Sequence, residues 1–368
     1  MEPSSDPRTA RSRVPELDGL RGLAILTVLV YHYFAIPWRP PPGPTWAWTS
    51  KVLLLGWSGV DLFFVLSGFL IGGILLDARK SPGYFRVFYL RRACRILPIY
   101  ALTLGAVASV PMLRGGVFPW WTYATFTQNV AMARAGAFGA VGLAVTWSLA
   151  IEEQFYLTLP PLIRWLSPTR VVLLGIGTIL AAPALRALLY LGGWTMAPYF
   201  LMPCRADALM IGVVAAWSVR APTVRAGLVQ FRHGLTAAAV IGAVGAALLA
   251  RWRPGFTSFR MITFGYSWLG LWYGVVLLIA VTNPDHLISR ALRLRPLRAL
   301  GSIAYGVYLI HLIALVVCTT IMSTWLRSLP LRTVGSTTLA LGVTLLLAQC
   351  SWTWFERPIV RHGHRYQY

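Results

Sequence analysis

Acidic residues are scarce in this 368-residue chain: 11 Asp and Glu stand against 33 Lys and Arg, and charged residues of all types make up only 12% of the total. Such a chain cannot cover a water-soluble core of its size with polar surface. Lysine is nearly absent, with Lys51 and Lys80 alone. Cysteine is limited to Cys94, Cys204, Cys318 and Cys350. They are far apart, with no C-x-x-C pair and no metal-ligand spacing, which excludes a disulfide framework and a cysteine metal centre. No polar stretch is long enough to form a separate soluble domain, and no internal repeat relates the two halves. What the chain has in abundance is apolar surface: 57% of residues are hydrophobic and the mean hydropathy is +0.64. The formal net charge of +22 does not point to nucleic acid, because the basic residues are dispersed between apolar runs and form no basic domain or tail.

A bilayer core of about 30 Å is crossed by about 20 helical residues. Arginine clusters and Pro/Gly loops mark off ten runs near that length: 20–36, 52–76, 96–113, 145–166, 171–191, 205–219, 234–250, 261–281, 301–324 and 333–356. The fold expected is all-α, a polytopic bundle of about ten transmembrane helices. Phe118 to Gly142, with "FPWWTYATFTQN", reads as an interfacial or re-entrant piece. With the N-terminus inside, 22 of the 33 basic residues fall in cytosolic segments, which by the positive-inside rule places both termini in the cytosol of a cell-membrane protein. Residues 1–17 are expected to be a short disordered cytosolic tail without a signal-peptide cleavage site, 18–357 the membrane domain, and 358–368 a cytosolic tail.

The first apolar run, "DGLRGLAILTVLVYH", is bounded by ionisable groups. From Arg21 to His32 is eleven residues, about three helical turns and about 16 Å, so both share one face, with Asp18 about 40° away. Arg21 at the cytosolic edge offers a fork of donors suited to phosphate, and His32 lies near mid-membrane. Snorkelling and a structural hydrogen bond would also explain the pair, but an ionisable group at that depth is costly and usually has a function.

"LDGLRGLAILTVLVYH", "GVDLFFVLSGFLI" (59–71), "YLRRACRILPIY" (89–100), "TWSLAIEEQFYL" (146–157), "CRADALMIG" (204–212), "GSIAYGVYLIHL" (301–312) and "FERPI" (355–359), taken in order, resemble the acyltransferase-3 family of membrane O-acyltransferases. The resemblance covers nearly the whole chain. It implies ten membrane helices and transfer of an acyl group, commonly acetyl, from cytosolic acyl-CoA to a hydroxyl of a glycan, glycolipid or secondary metabolite. It also implies a single-domain form, without the SGNH-type domain that many relatives carry after the last helix.

Thioester acyl transfer to a hydroxyl needs a base for its proton or a protein nucleophile that carries the acyl group. Neutral imidazole can do either. The family's Arg-x10-His pattern assigns His32 as catalytic and Arg21 as a contact for the donor. Arg91, Arg92 and Arg95 share a helix face and suit the phosphates of coenzyme A, although positive-inside anchoring alone would place arginines there too. Ser67, Gly68 and Phe69 are expected to line the passage for the thioester arm, or to serve close helix packing. Asp61 reads equally as partner to a buried cation or as orienter of the site. Glu152 is expected to polarise the acceptor hydroxyl or orient His32, and Glu153, about 100° further round, to be solvated or paired with an arginine. Trp147 and Ser148 are candidate acceptor contacts, and Arg205, Asp207 and His311 supporting residues that fit the family's pattern. No metal is expected, and acyl-CoA is the co-substrate.

A proton-coupled transporter would also place histidine, arginine and carboxylates in the membrane, but it leaves the ordered motifs unexplained. Within the enzyme reading the acceptor is a surface or lipid-linked carbohydrate or a hydrophobic metabolite such as a glycosylated antibiotic. Trp38, Trp46, Trp48, Trp57, Trp120 and Trp121 could stack on sugar rings, and an interfacial belt would look the same.

Overall fold

The computed structural model describes residues 14–37, 44–251, 255–326 and 328–368, with the backbone alone for 44–48. Ten long helices, α1 to α10, account for most of it. They are Pro15–Val30, Gly59–Ala78, Tyr84–Ser109, Thr146–Trp165, Pro168–Leu191, Met202–Ser218, Arg232–Arg251, Tyr266–Thr282, Ala304–Trp325 and Leu329–Ser351. Each of the ten apolar runs overlaps one. Local chemistry sets several starts: Pro15, Pro168, Pro203 and Pro330 stand in the first turns of α1, α5, α6 and α10, where the missing N–H costs nothing. At α5 the Ser167 hydroxyl also accepts from the Arg170 backbone N–H at 3.3 Å, an N-cap bond.

Three boundaries differ from the sequence reading. α3 begins at Tyr84, twelve residues before the expected start at 96, because the arginine cluster ends the apolar run without ending the helix. The first helix begins at Pro15, inside the expected tail; residues 1–13 of that tail lie outside the described residues. The stretch from Phe118 to Gly142 forms the short helices Trp120–Ala124 and Gln128–Ala135 and a 3-10 turn, Val141–Leu143, none long enough to cross a bilayer.

Seven helical segments are long and apolar enough to cross a membrane: Thr49–Ala78, Pro168–Leu191, Ala197–Ser218, Arg232–Arg251, Met261–Thr282, Ala304–Trp325 and Leu329–Gly363. The chain is a polytopic membrane protein. α1, α3 and α4 fall outside this set, and they are the helices that carry Arg21 and His32, the three clustered arginines, and Glu152. The charge that lowers their hydropathy includes the residues that the sequence marks as site candidates.

α2 and α6 form the centre. Their apolar windows are 78% and 72% buried, against 22% to 28% for α5, α7 and α10, which present most of their surface outward. The two backbones nearly touch: a Cβ on Gly68 would overlap the Leu209 carbonyl, and one on Gly212 the Val65 carbonyl. Small residues permit this approach, the usual solution where lipid gives no hydrophobic drive to helix pairing. α1 is wedged in the same way against a short helix, Arg295–Ser302, where Gly22 faces the Leu297 carbonyl and Gly301 the Asp18 carbonyl.

Candidate active site

α1 does not end regularly. Its last turn, Tyr31–Ala35, is a π-turn, a wider turn of a kind that recurs at functional sites, and it contains His32. Tyr33, fully buried, anchors the turn: its hydroxyl donates to the His311 carbonyl at 2.8 Å and lies 2.8 Å from Thr344 Oγ1. The turn is thereby tied to α9 and α10.

The His32 ring faces His311, with centroids 4.9 Å apart. His311 Nδ1 lies 2.7 Å from the Tyr308 carbonyl, His32 Nδ1 lies 3.0 Å from the Val28 carbonyl, and His311 Nε2 lies 3.3 Å from His32 Nδ1. A carbonyl only accepts, so both Nδ1 atoms carry hydrogen. His311 Nε2 is then a lone pair that shares the His32 Nδ1 proton with Val28. His32 Nε2 is the second unprotonated nitrogen of the pair, and among the described residues nothing bonds to it. That is the atom a base or nucleophile would use.

Two cavities flank this point. The first, about 190 Å³, is lined by Arg21, Ser67, Arg92, Arg95 and Glu152 with apolar side chains of α2, α3 and α9. Three guanidinium groups, one of them paired with Asp18, line it against one carboxylate, so its lining is basic. Glu152 is held by the Tyr156 hydroxyl, which donates to Oε2 at 3.2 Å and lies 2.5 Å from Ser67 Oγ. The second cavity, about 200 Å³, is lined by His32 and by Tyr31, Trp57, Phe138, Trp147 and Tyr199 among others. Its wall is mostly aromatic.

Behind that wall lie four buried charges. Arg205 pairs with Asp61 at 2.5 Å and Arg186 with Asp207 at 2.8 Å. The Ser267 hydroxyl donates to Asp207 Oδ2 at 2.6 Å. The Arg205 guanidinium lies 3.8 Å from the Tyr266 ring centre and 5.6 Å from that of Tyr199. The set is formally neutral, the condition on which buried charges are tolerable, and through cation–π contact it helps hold Tyr199, one ring of the second cavity.

A family model described as an acyltransferase domain, acyltransferase-3, matches residues 14–349. The chain belongs to the acyltransferase-3 family. This acyltransferase-3 chain is 26% identical to the peptidoglycan O-acetyltransferase OatA of Listeria monocytogenes, over 97% of its own length and 57% of that protein's. It is 28% identical to the putative peptidoglycan O-acetyltransferase YrhL of Bacillus subtilis, over 96% and 56%. With the O-acetyltransferase OatA of Staphylococcus aureus it shares 25% over 96% and 58%. The chain thus spans somewhat more than half the length of these relatives. No solved structure matches it.

The expected site residues of the acyltransferase-3 chain divide between several places. Arg21, Ser67, Arg92, Arg95, Ser148 and Glu152 meet in the first cavity, and His32 and Trp147 in the second. Glu152 is on the first side, and the His32 ring is bonded to His311 and Val28 rather than to Glu152. Gly68 packs on α6 and Phe69 is buried in the core; neither lines a cavity. Arg91 also lies outside both, and its guanidinium donates to the Tyr366 carbonyl and sits over the Tyr368 ring. Asp18 bonds to Arg21 at 3.0 Å. Asp61 is partner to the buried Arg205, while Glu153 is half-buried, with its Oε1 enclosed and without a hydrogen bond among the described residues. Of the tryptophans proposed to stack on sugars, Trp57 lines the second cavity, Trp120 and Trp121 are exposed, and Trp38 and the side chains of Trp46 and Trp48 lie outside the described residues. Arg186 was not singled out by the sequence; the available signal was a lone arginine among the apolar residues of α5. No group of His, Cys, Asp and Glu able to hold a metal ion is found among the described residues.

Proposed function

We propose that the protein is a multi-pass O-acyltransferase of the cell membrane that moves an acyl group, acetyl in the first instance, from acyl-CoA to a carbohydrate hydroxyl, with His32 at the point of transfer. The observation that carries this reading is a histidine whose Nδ1 proton is fixed by neighbours and whose Nε2 is left as a lone pair, in the lining of an aromatic cavity that shares Val60 and Tyr308 with a basic one. The basic cavity suits the donor: Arg21, Arg92 and Arg95 take the phosphates of coenzyme A as bidentate forks, and the pantetheine arm follows the apolar walls past Ser67. The aromatic cavity suits the acceptor, since sugar faces stack on Trp and Tyr rings. The printed names of the relatives, peptidoglycan O-acetyltransferases, support a glycan acceptor.

In the base route, Nε2 takes the hydroxyl proton as the oxygen attacks the thioester carbonyl. The tetrahedral intermediate then collapses, the C–S bond breaks, and the leaving sulfur receives the proton from the imidazolium. In the carrier route, Nε2 itself attacks the thioester carbonyl, the C–S bond breaks and coenzyme A leaves as thiolate from an acyl-imidazolium that keeps its Nδ1 proton; the hydroxyl then attacks the acyl carbon, the C–N bond breaks to restore the Nε2 lone pair, and the hydroxyl proton passes to the thiolate. His311 serves both as a positioning residue, since it keeps the proton on His32 Nδ1 and the lone pair on Nε2. Both termini are assigned to the cytosol with the basic cavity open to that side, the orientation the arginine distribution favours.

The test is thiol release from acetyl-CoA by the purified protein in detergent, with and without chitotetraose. Release stimulated by the sugar, together with a mass gain of one acetyl group on it, supports the enzyme. A protein that transports but turns over no acyl-CoA under any condition refutes it.

A further inference from the structure

We propose that Tyr308 is the partition that limits which acyl groups reach His32, an inference that rests on reading the two cavities as donor and acceptor sites. Two residues, Val60 of α2 and Tyr308 of α9, line both cavities. The groups assigned to the donor, Arg21, Ser67, Arg92 and Arg95, lie on one side of them and His32 on the other. On that reading the boundary formed by the Val60 side chain and the Tyr308 ring is the neck that an acyl group bound as its coenzyme A thioester passes to reach Nε2.

The Tyr308 side of this boundary is firmly held. The Tyr308 hydroxyl donates to the Val145 carbonyl at 3.0 Å and lies 2.6 Å from Ser148 Oγ, so the ring is latched to the start of α4. Phe63 meets it edge-on with centroids 6.0 Å apart, and the His311 ring lies 5.8 Å away. A buried phenol with a bonded hydroxyl and aromatic neighbours on two sides has little freedom to swing. The same residue's carbonyl accepts the His311 Nδ1 proton, so the ring that narrows the neck also sits at the end of the chain of bonds that sets the state of His32. The neck and the reacting nitrogen are thus held in fixed register.

The consequence is selectivity for short acyl groups. Once the carbonyl carbon has passed Tyr308, every further methylene must either enter the aromatic cavity, where it competes with the acceptor for about 200 Å³, or remain against the ring and hold the carbonyl back. A pocket wall discriminates one methylene by roughly ten- to two-hundredfold in kcat/KM. Removing the wall should relax that discrimination.

The experiment compares thiol release from acetyl-CoA and hexanoyl-CoA by wild type, Tyr308→Ala, Tyr308→Phe and Val60→Ala, in detergent with chitotetraose. Wild type is expected to prefer acetyl-CoA. Tyr308→Ala should raise the hexanoyl-to-acetyl ratio of kcat/KM by about tenfold or more. Val60→Ala, which opens the opposite side of the neck and disturbs no hydrogen bond, should move the ratio the same way and decides the matter if the alanine at 308 does not fold. Tyr308→Phe keeps the ring and should keep the wild-type ratio. An unchanged ratio in both alanine variants overturns the partition while leaving the acyltransferase reading intact. Failure of wild type to release thiol from either donor overturns that reading, and this inference with it.

Discussion

At the scale of single residues, the proton arrangement around His32 follows from two carbonyls. Val28 and Tyr308 offer only lone pairs, each 3.0 Å or less from an imidazole Nδ1, and the position of every other ring hydrogen is then determined. His311→Ala removes the acceptor that helps hold the His32 proton on Nδ1. It is expected to lower kcat by on the order of 10²-fold, within the range a positioned acid–base group contributes, with the KM for acetyl-CoA unchanged. Steady-state kinetics on the purified variant check this, and an equal rise in the donor KM would mean that His311 acts by holding the bundle together. Arg21→Ala should show the opposite pattern, a raised KM for acetyl-CoA with kcat largely kept. That Arg21 and His32 stand about three turns apart on nearly the same face of the first helix was legible in the sequence, because a helical spacing of eleven carries its own geometry. The pairing of His32 with His311 was not, since 279 positions separate them and only the fold brings them together. Arg186 was missed because no spacing marks it; its partner Asp207 is visible only once α5 and α6 are packed.

At the scale of elements, the helices that carry the chemistry are held by contacts that have little slack. Asp61→Asn leaves the Arg205 guanidinium buried without its counter-charge. Breaking one side of a buried pair costs about 3–5 kcal/mol, which thermal unfolding in detergent should register as a large drop in melting temperature. The double variant Asp61→Leu with Arg205→Met removes both charges and should recover most of the loss, because a buried pair replaced by apolar side chains is often near neutral. Gly212→Leu should separate α2 from α6, since even a Cβ there overlaps the Val65 carbonyl, and should abolish accumulation of folded protein. The sequence reading placed the long helices well because apolar runs of fixed length are a strong signal. It placed the start of α3 poorly, since arginines that end an apolar run are still good helix formers, and the π-turn at His32 left no mark in composition at all.

At the scale of the whole molecule, the charge of the chain is expected to be arranged by side of the membrane, as the arginine distribution favours. The arginines of α1 and α3 gather at the basic cavity, while the aromatic cavity lies beyond His32. Position-specific labelling of single cysteines, placed in a variant in which the four native cysteines have been replaced, should find the segments around 80 and 290 accessible from the cytosol and the loop around 116 from the other face. The reverse pattern would place the donor cavity on the side without acyl-CoA. The overall class was legible from hydropathy alone. The division of the site into two cavities was not, because Tyr308 and Val60 look in sequence like two more core residues. The most direct measurement of the central claim is acyl transfer by His32→Ala, normalised to folded protein in the membrane and compared with wild type. A loss of at least about 10²-fold in sugar acylation, with the melting temperature kept, is the predicted result; transfer at the wild-type rate without that ring would contradict it.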